Sequence, residues 1–294
     1  MIAGLAAGGK KALADALAQL EAAPFAPATL ALLDAAFAAP QAHVVGITGP
    51  PGVGKSSLMS ALITAWRRQG ARVAVIAVDP SSRVSGGALL GDRTRLRTDP
   101  TDEGVFVRSM AARDRLGGLA GLTIGAMVLM RALYDIVLIE TVGVGQSETD
   151  ITSAADTVIL CLQPGAGDSL QFMKAGIVEI PDIVVVTKSD LGLAAERTHH
   201  DAEAVLAFRH GESVPILLLS AARGQGIAAL LAAIAAHWRG LHEEGRLVRR
   251  RQAQAQGWLN EAVREAFGRE GLKRAGDLTL AEGASPFATL AKLA

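Results

Sequence analysis

HVVGITGPPGVGKSS, residues 43–57, runs from a β-branched stretch through a turn of glycine and proline into Lys55, Ser56 and Ser57, which open a helical segment. Within it, Gly49-x-x-x-x-Gly54-Lys55-Ser56 lies between a strand and a helix, the context a phosphate-cradling loop requires. Gly49, Gly52 and Gly54, spaced by Pro50, Pro51 and Val53, let backbone N–H groups turn inward around phosphate oxygens. The helix N-terminus adds positive potential. Lys55 is placed to reach the β- and γ-phosphates, and the Ser56 hydroxyl to ligate Mg²⁺.

Outward from this loop the chain alternates apolar strands with helical segments. After 43–48 the strands are expected at 72–78, 105–109, 135–139, 157–162, 183–186 and 216–219, with helices at 56–69, 117–132, 193–209 and 225–240. Strands that read as continuous apolar runs predict an α/β fold with a mainly parallel sheet covered by helices on both faces. Ligands of such sheets bind beyond the carboxyl ends of the strands. Residues 1–40, rich in Ala and Leu, predict an N-terminal extension of two helices broken around Pro24–Pro27. The P-loop domain is expected over 41–240 and a C-terminal helical extension over 241–294, with its last residues loosely ordered.

The other strand ends carry polar groups suited to nucleotide chemistry. Asp79, at the end of the second strand, is placed to hold Mg²⁺ or its waters, and Asp92, in the long loop that follows, is a second candidate ligand. Glu140 begins Glu140-Thr-Val-Gly143-Val-Gly-Gln146, where a switch glycine can bond the γ-phosphate and the carboxylate can hold the Mg²⁺ shell or orient water. Gln146 fits a water-positioning role and a turn-capping role equally well. Thr187-Lys188-Ser189-Asp190 follows a buried strand. Asp190 can accept both the N1 and N2 hydrogens of guanine, a pair adenine does not offer, so the carboxylate discriminates by being left unpaired with the wrong base. Lys188 would cover the ring face, Thr187 stands where Asn is usual, and Ser220-Ala221 offers backbone N–H to the guanine O6. GTP, with Mg²⁺, is therefore the expected ligand.

Composition closes off other classes. Lys+Arg and Asp+Glu are both 29, so nothing points to nucleic acid. The basic run Arg246, Arg249, Arg250 and Arg251 is expected to be a solvated helix face or a subunit contact. Cys161 is the only cysteine, which excludes an intrachain disulfide and fits a reducing cytosol. The uncharged runs 35–54 and 116–130 are broken by prolines or too short to span a bilayer. A soluble cytoplasmic protein is expected.

The segments GITGPPGVGKSS (46–57), VDPSSRVSGGALLGDR (78–93), VRSMAARDRLGGLA (107–120), ETVGVGQSE (140–148) and PGAGDSLQFMKAGI (164–177), with TKSD and SA behind them, resemble the MeaB/ArgK-type GTPases, relatives of the methylmalonic aciduria type A protein. The resemblance spans residues 43–226 in order. It implies a homodimeric GTPase of low intrinsic rate that accompanies an adenosylcobalamin-dependent acyl-CoA mutase of the methylmalonyl-CoA mutase type, gating cofactor loading and protecting or reactivating the enzyme. It also implies an extra switch in which Asp168, Gln171 and Lys174 couple the nucleotide state to the partner. Arg83 and Ser85 depart from the family's first switch, and the C-terminal region is short for its dimerisation arm. The rival readings are a metal-insertion GTPase of hydrogenase or urease maturation, which lone Cys161 and the polar-helix pair His199-His200 do not favour, a transport-protein kinase, and a binding switch with negligible hydrolysis.

Overall fold

The computed structural model describes residues 1–80, 96, 98–112, 121–141, 150–165, 180–207, 213–274 and 276–293. Seven strands form one parallel sheet: β1 His43–Thr48, β2 Val73–Pro80, β3 Val105–Ala112, β4 Ile136–Glu140, β5 Thr157–Leu162, β6 Ile183–Val186 and β7 Ile216–Leu218. Their order is β3-β2-β4-β1-β5-β6-β7. The strand carrying the phosphate loop is therefore central, with Val45 opposite Leu138 on one side and Thr157 on the other. Every residue of β1 and β5 is buried.

The helices are α1 Ile2–Ala7, α2 Gly9–Ala22, α3 Pro27–Phe37, α4 Lys55–Arg68, α5 Gly121–Arg131, α6 Leu193–Leu206, α7 Ile227–His242, α8 Arg246–Arg274 and α9 Pro286–Leu293. Successive strand residues point to opposite faces, and the core divides accordingly. Val44, Val137 and Val158 face a layer built from Leu13, Leu17, Leu30, Met127, Trp258 and Phe287, contributed by α2, α3, α5, α8 and α9. Val45, Leu138 and Ile159 face Leu58, Leu62 and Trp66 of α4 with Leu230 and Ile234 of α7. Both faces are covered, which is why the strands read as unbroken apolar runs. No helix among the described residues is long and apolar enough to cross a membrane.

Three expectations are corrected. The N-terminal region holds three helices, because Gly9 takes a positive φ of 60° and separates a short α1 from α2. The last residues are not loose: Phe287 and Leu290 of α9 are buried, and Phe287 meets Phe37 of α3 edge-on at 6.2 Å. The basic run is not uniformly solvated. Arg251 pairs with fully buried Asp156 at 2.7 Å, Arg250 with Asp182 at 2.9 Å, and Arg246 Nε donates to the Gly240 carbonyl. Arg250 and Arg251 turn inward to pin α8 against the N-terminal ends of β6 and β5, while Arg246 ties it to the last turn of α7. Asp156 also accepts the Val44 N–H, so the pair is tied into β1.

Candidate functional site

The site lies at the carboxyl ends of β1, β4, β5 and β6. After β1 the chain needs backbone angles that only glycine adopts easily: φ is 139° at Gly49, 75° at Gly52 and 104° at Gly54. At Gly49 space is limiting as well, since a Cβ there would lie 2.4 Å from the Cys161 carbonyl oxygen of β5. Cys161 is buried and its thiol is pushed up to about 12 by desolvation, so it is inert packing. Helix α4 opens at Gly54 with no side-chain cap, and an uncapped helix start directs first-turn N–H groups at whatever sits before it.

Lys55 is 7% exposed, and its ammonium donates to the Gly49 carbonyl at 2.7 Å and the Pro50 carbonyl at 3.2 Å. Loop carbonyls thus hold the ammonium in place. The Ser56 hydroxyl donates to Glu140 at 3.2 Å, joining the start of α4 to the end of β4. A hydroxyl beside a carboxylate is an oxygen donor set suited to a hard divalent cation such as Mg²⁺. Asp79 lies at the end of β2, opposite Ala111 of β3, with its side chain outside the described residues. Arg83, Ser85, Asp92, Gly143, Gln146, Asp168, Gln171 and Lys174 also lie outside them.

A cavity of about 750 Å³ runs from the phosphate loop along α4 to the segments after β6 and β7, lined by Val53, Gly54, Ser57, Lys188, Asp190 and Ala221 among others. Thr187 is buried, and its single hydroxyl hydrogen is shared between the Val53 carbonyl at 2.7 Å and the Leu162 carbonyl at 3.0 Å. It thus ties the 187–190 segment to the phosphate loop and to β5. Lys188 takes a left-handed backbone, with φ 51°, and its ammonium donates to the Gly52 carbonyl and to Gln163. Asp190 is exposed toward the cavity and accepts the Ser220 hydroxyl at 2.6 Å. That bond, with one from its own backbone N–H, holds the carboxyl below the usual range. The Ser220 N–H is committed to the Gln225 carbonyl, which leaves Ala221 rather than Ser220 to offer an N–H to a base.

The structure therefore brings together Lys55, Ser56, Glu140, Thr187, Lys188, Asp190 and Ala221 at one edge of the sheet. Sequence reasoning missed Gln163 as the anchor of Lys188 and the Ser220 hydroxyl as the group that orients Asp190. The second was discoverable, since Ser220 was already singled out for its backbone. His199, His200 and Glu203 of α6 gather their ligand atoms within 4.8 Å of one another, with His200 and Glu203 exposed. His199 contacts the Ile216 carbonyl through Nε2, so it is held against β7 and not simply solvated.

Comparison with known proteins shows the family. The family described as methylmalonyl Co-A mutase-associated GTPase MeaB matches residues 13–274. A Pyrococcus horikoshii protein named as a GTPase is 46% identical over 218 residues, covering 72% of this chain and 68% of that protein. The mitochondrial methylmalonic aciduria type A homolog of Mus musculus is 39% identical over 228 residues, covering 75% of this chain and 55% of that protein. A crystal structure titled LAO/AO transport system kinase superposes with a TM-score of 0.70 at 28% identity, over 99% of this chain and 94% of that one. The hydrogenase maturation factor HypB of Archaeoglobus fulgidus, at 18% identity and a TM-score of 0.52, shares the fold. With a family match over most of its length and relatives well above 30% identity, the chain belongs to the MeaB family of P-loop GTPases.

Proposed function

We propose that this member of the MeaB family hydrolyses GTP with Mg²⁺ to gate cofactor loading, protection or reactivation of an adenosylcobalamin-dependent acyl-CoA mutase. The observation that carries the nucleotide part is the Asp190–Ser220 pair at one end of the cavity whose other end is the phosphate loop. A carboxylate fixed by a hydroxyl, lining the same cavity as the phosphate loop, suits guanine N1–H and N2–H. The part that concerns the mutase rests on the names of the family and of the mouse relative.

In this reading the glycine-rich loop and the start of α4 hold the phosphates through backbone N–H groups. Lys55 exchanges its two loop carbonyls for β- and γ-phosphate oxygens, a charge-assisted replacement for neutral bonds. Ser56 and Glu140 would hold the cation, with Asp79 and Asp92 completing its shell; bound there, Mg²⁺ neutralises charge that develops on the phosphates. Thr187 and Lys188 brace the base end against the phosphate end through Val53 and Gly52. Gly143 senses the γ-phosphate. Asp168, Gln171 and Lys174 complete the site when the mutase is bound.

Asp190→Asn tests the base assignment. An amide cannot accept both guanine hydrogens, and one lost charge-assisted bond is worth roughly 1.5–3 kcal/mol. Competition binding should show the preference for GTP over ATP falling by about tenfold or more. An unchanged ratio removes the guanine reading. Product analysis separates the transport-protein kinase: GDP and inorganic phosphate are expected, and label transferred to protein would favour the kinase.

A further inference from the structure

On helix α6, His199 and His200 are followed by Glu203, four residues after the first and three after the second. Helical neighbours lie three and four residues apart, so this carboxylate stands over both rings. Glu203 Oε2 is 3.6 Å from Nδ1 of His199 and 3.0 Å from Nδ1 of His200. A ligand atom from each of the three lies within 4.8 Å of the others. None of them is among the residues that line the nucleotide cavity.

The tie to the sheet decides what His199 can offer. Its Nε2 is 3.2 Å from the Ile216 carbonyl of β7, and a carbonyl only accepts, so Nε2 carries the ring hydrogen. In the neutral imidazole Nδ1 is then a bare lone pair beside a carboxylate oxygen, itself an acceptor. Two acceptors so close need a positive centre between them, either a proton on the ring or a cation shared by nitrogen and oxygen. A histidine whose other nitrogen donates to a backbone carbonyl has the usual form of a metal ligand, because that bond fixes tautomer and ring position. The His199 side chain is 22% exposed, whereas those of His200 and Glu203, at 77% and 53%, can turn toward an ion without disturbing the core. Tetrahedral bonds of about 2.0–2.2 Å set ligand atoms roughly 3.3–3.6 Å apart. The two N···O distances lie at and just below that spacing.

We propose that His199, His200 and Glu203 form a site for a borderline divalent transition metal of the Zn²⁺ class. Nδ1 of each ring and one carboxylate oxygen are the protein ligands, and water takes the remaining position. Two imidazoles with a carboxylate suit such ions, whereas Mg²⁺ and Ca²⁺ take sets made of oxygen. Through the bond from His199 to Ile216, the bound ion braces α6 against β7, the edge strand of the sheet. The site is separate from the cation position at Ser56 and Glu140, so it does not depend on the nucleotide assignment.

The test is calorimetric titration of the untagged, nucleotide-free full chain with ZnCl₂, after dialysis against a chelator. One equivalent of Zn²⁺ is expected to bind in the micromolar range, weaker than a closed four-ligand structural site, and excess MgCl₂ should not displace it. Loss of a partner behind a metal ligand costs about 10–100-fold in affinity, so loss of a ligand should cost at least about tenfold. His200→Gln and Glu203→Gln should each show that loss, and both should fold as the parent does because both side chains are exposed. Glu140→Gln, which alters the cation position of the nucleotide site, should keep the parent's Zn²⁺ affinity. Long-range ¹⁵N–¹H spectra of the imidazoles should place Zn²⁺ on Nδ1 of His199 and His200, with the hydrogen of His199 kept on Nε2. The proposal is overturned by a parent chain without saturable Zn²⁺ binding below the millimolar range, or by His200→Gln or Glu203→Gln binding Zn²⁺ as the parent does. It is equally overturned by loss of Zn²⁺ binding in Glu140→Gln, by displacement with Mg²⁺, or by ring signals of His199 and His200 that do not respond to the metal.

Discussion

Lys55 donates to two carbonyls of the loop that surrounds it, so the residue expected to grip phosphate also shapes the cradle. Its removal should therefore abolish nucleotide binding without unfolding the chain, because α4 is anchored independently by Leu58, Met59 and Leu62 in the core. Lys55→Ala with unaltered far-ultraviolet circular dichroism and no measurable GTP affinity is the expected result; GTP bound about as tightly as by the parent would disprove the phosphate role. His43 makes a different prediction at the same scale. Its imidazole touches the Thr157 hydroxyl at 2.6 Å and stacks on Trp238, and burial lowers it from 6.5 to about 3. Below 6.5 the unfolded chain takes up a proton there that the native ring refuses until about 3. Stability from this residue is thus complete above 6.5 and declines as pH falls toward 3. His43→Gln, which keeps a donor toward Thr157, should flatten that part of the unfolding free energy measured in urea against pH. An equal acid slope in both proteins would rule the residue out as its source.

Elements were legible where their reasons are local. β1, β5 and β6 occupy the residues their apolar runs predict, since burial on both faces leaves a continuous signal in the chain. Helix α8 shows the limit. Its arginines look like a solvated stripe because their partners, Asp156 and Asp182, lie far back in sequence and outside any periodic pattern. The kink at Gly268, where φ is 68°, carries no signal beyond a glycine in a helical stretch. The ion pairs on this helix should differ sharply in value. Arg251→Ala strands the fully buried carboxylate of Asp156 and should cost about 3–5 kcal/mol. Arg264→Ala breaks a pair whose two side chains are 52% and 57% exposed, and should cost about 1 kcal/mol or less. Chemical denaturation of the two variants measures both, and similar losses would mean that α8 is not held through its inward arginines.

The whole molecule joins its two ends in one layer. Phe37 of α3 meets Trp258 of α8 and Phe287 of α9, on the sheet face opposite α4. Sequence reading treats the termini as separate extensions because neither helix pair reveals its partner at the other end of the chain. The candidate nucleotide site could be read from the sequence for the contrary reason: its groups come as short motifs at strand ends, each with its own spacing. What escaped was how they brace one another, through Ser220 on Asp190, Gln163 on Lys188 and Thr187 on Val53, since each link crosses between segments distant in sequence. With phosphate and base ends locked by these bonds, catalysis in the isolated chain is expected to be slow until a partner supplies charge near the γ-phosphate. In other GTPases a supplied arginine is worth about 10³–10⁵ in rate. The most direct measurement is single-turnover GTP hydrolysis with Mg²⁺, alone and with an adenosylcobalamin-dependent acyl-CoA mutase. The account predicts slow release of GDP and phosphate from the chain alone and a large acceleration by the mutase, lost in Lys174→Ala. Identical rates with and without the mutase, or no hydrolysis in either case, would contradict it.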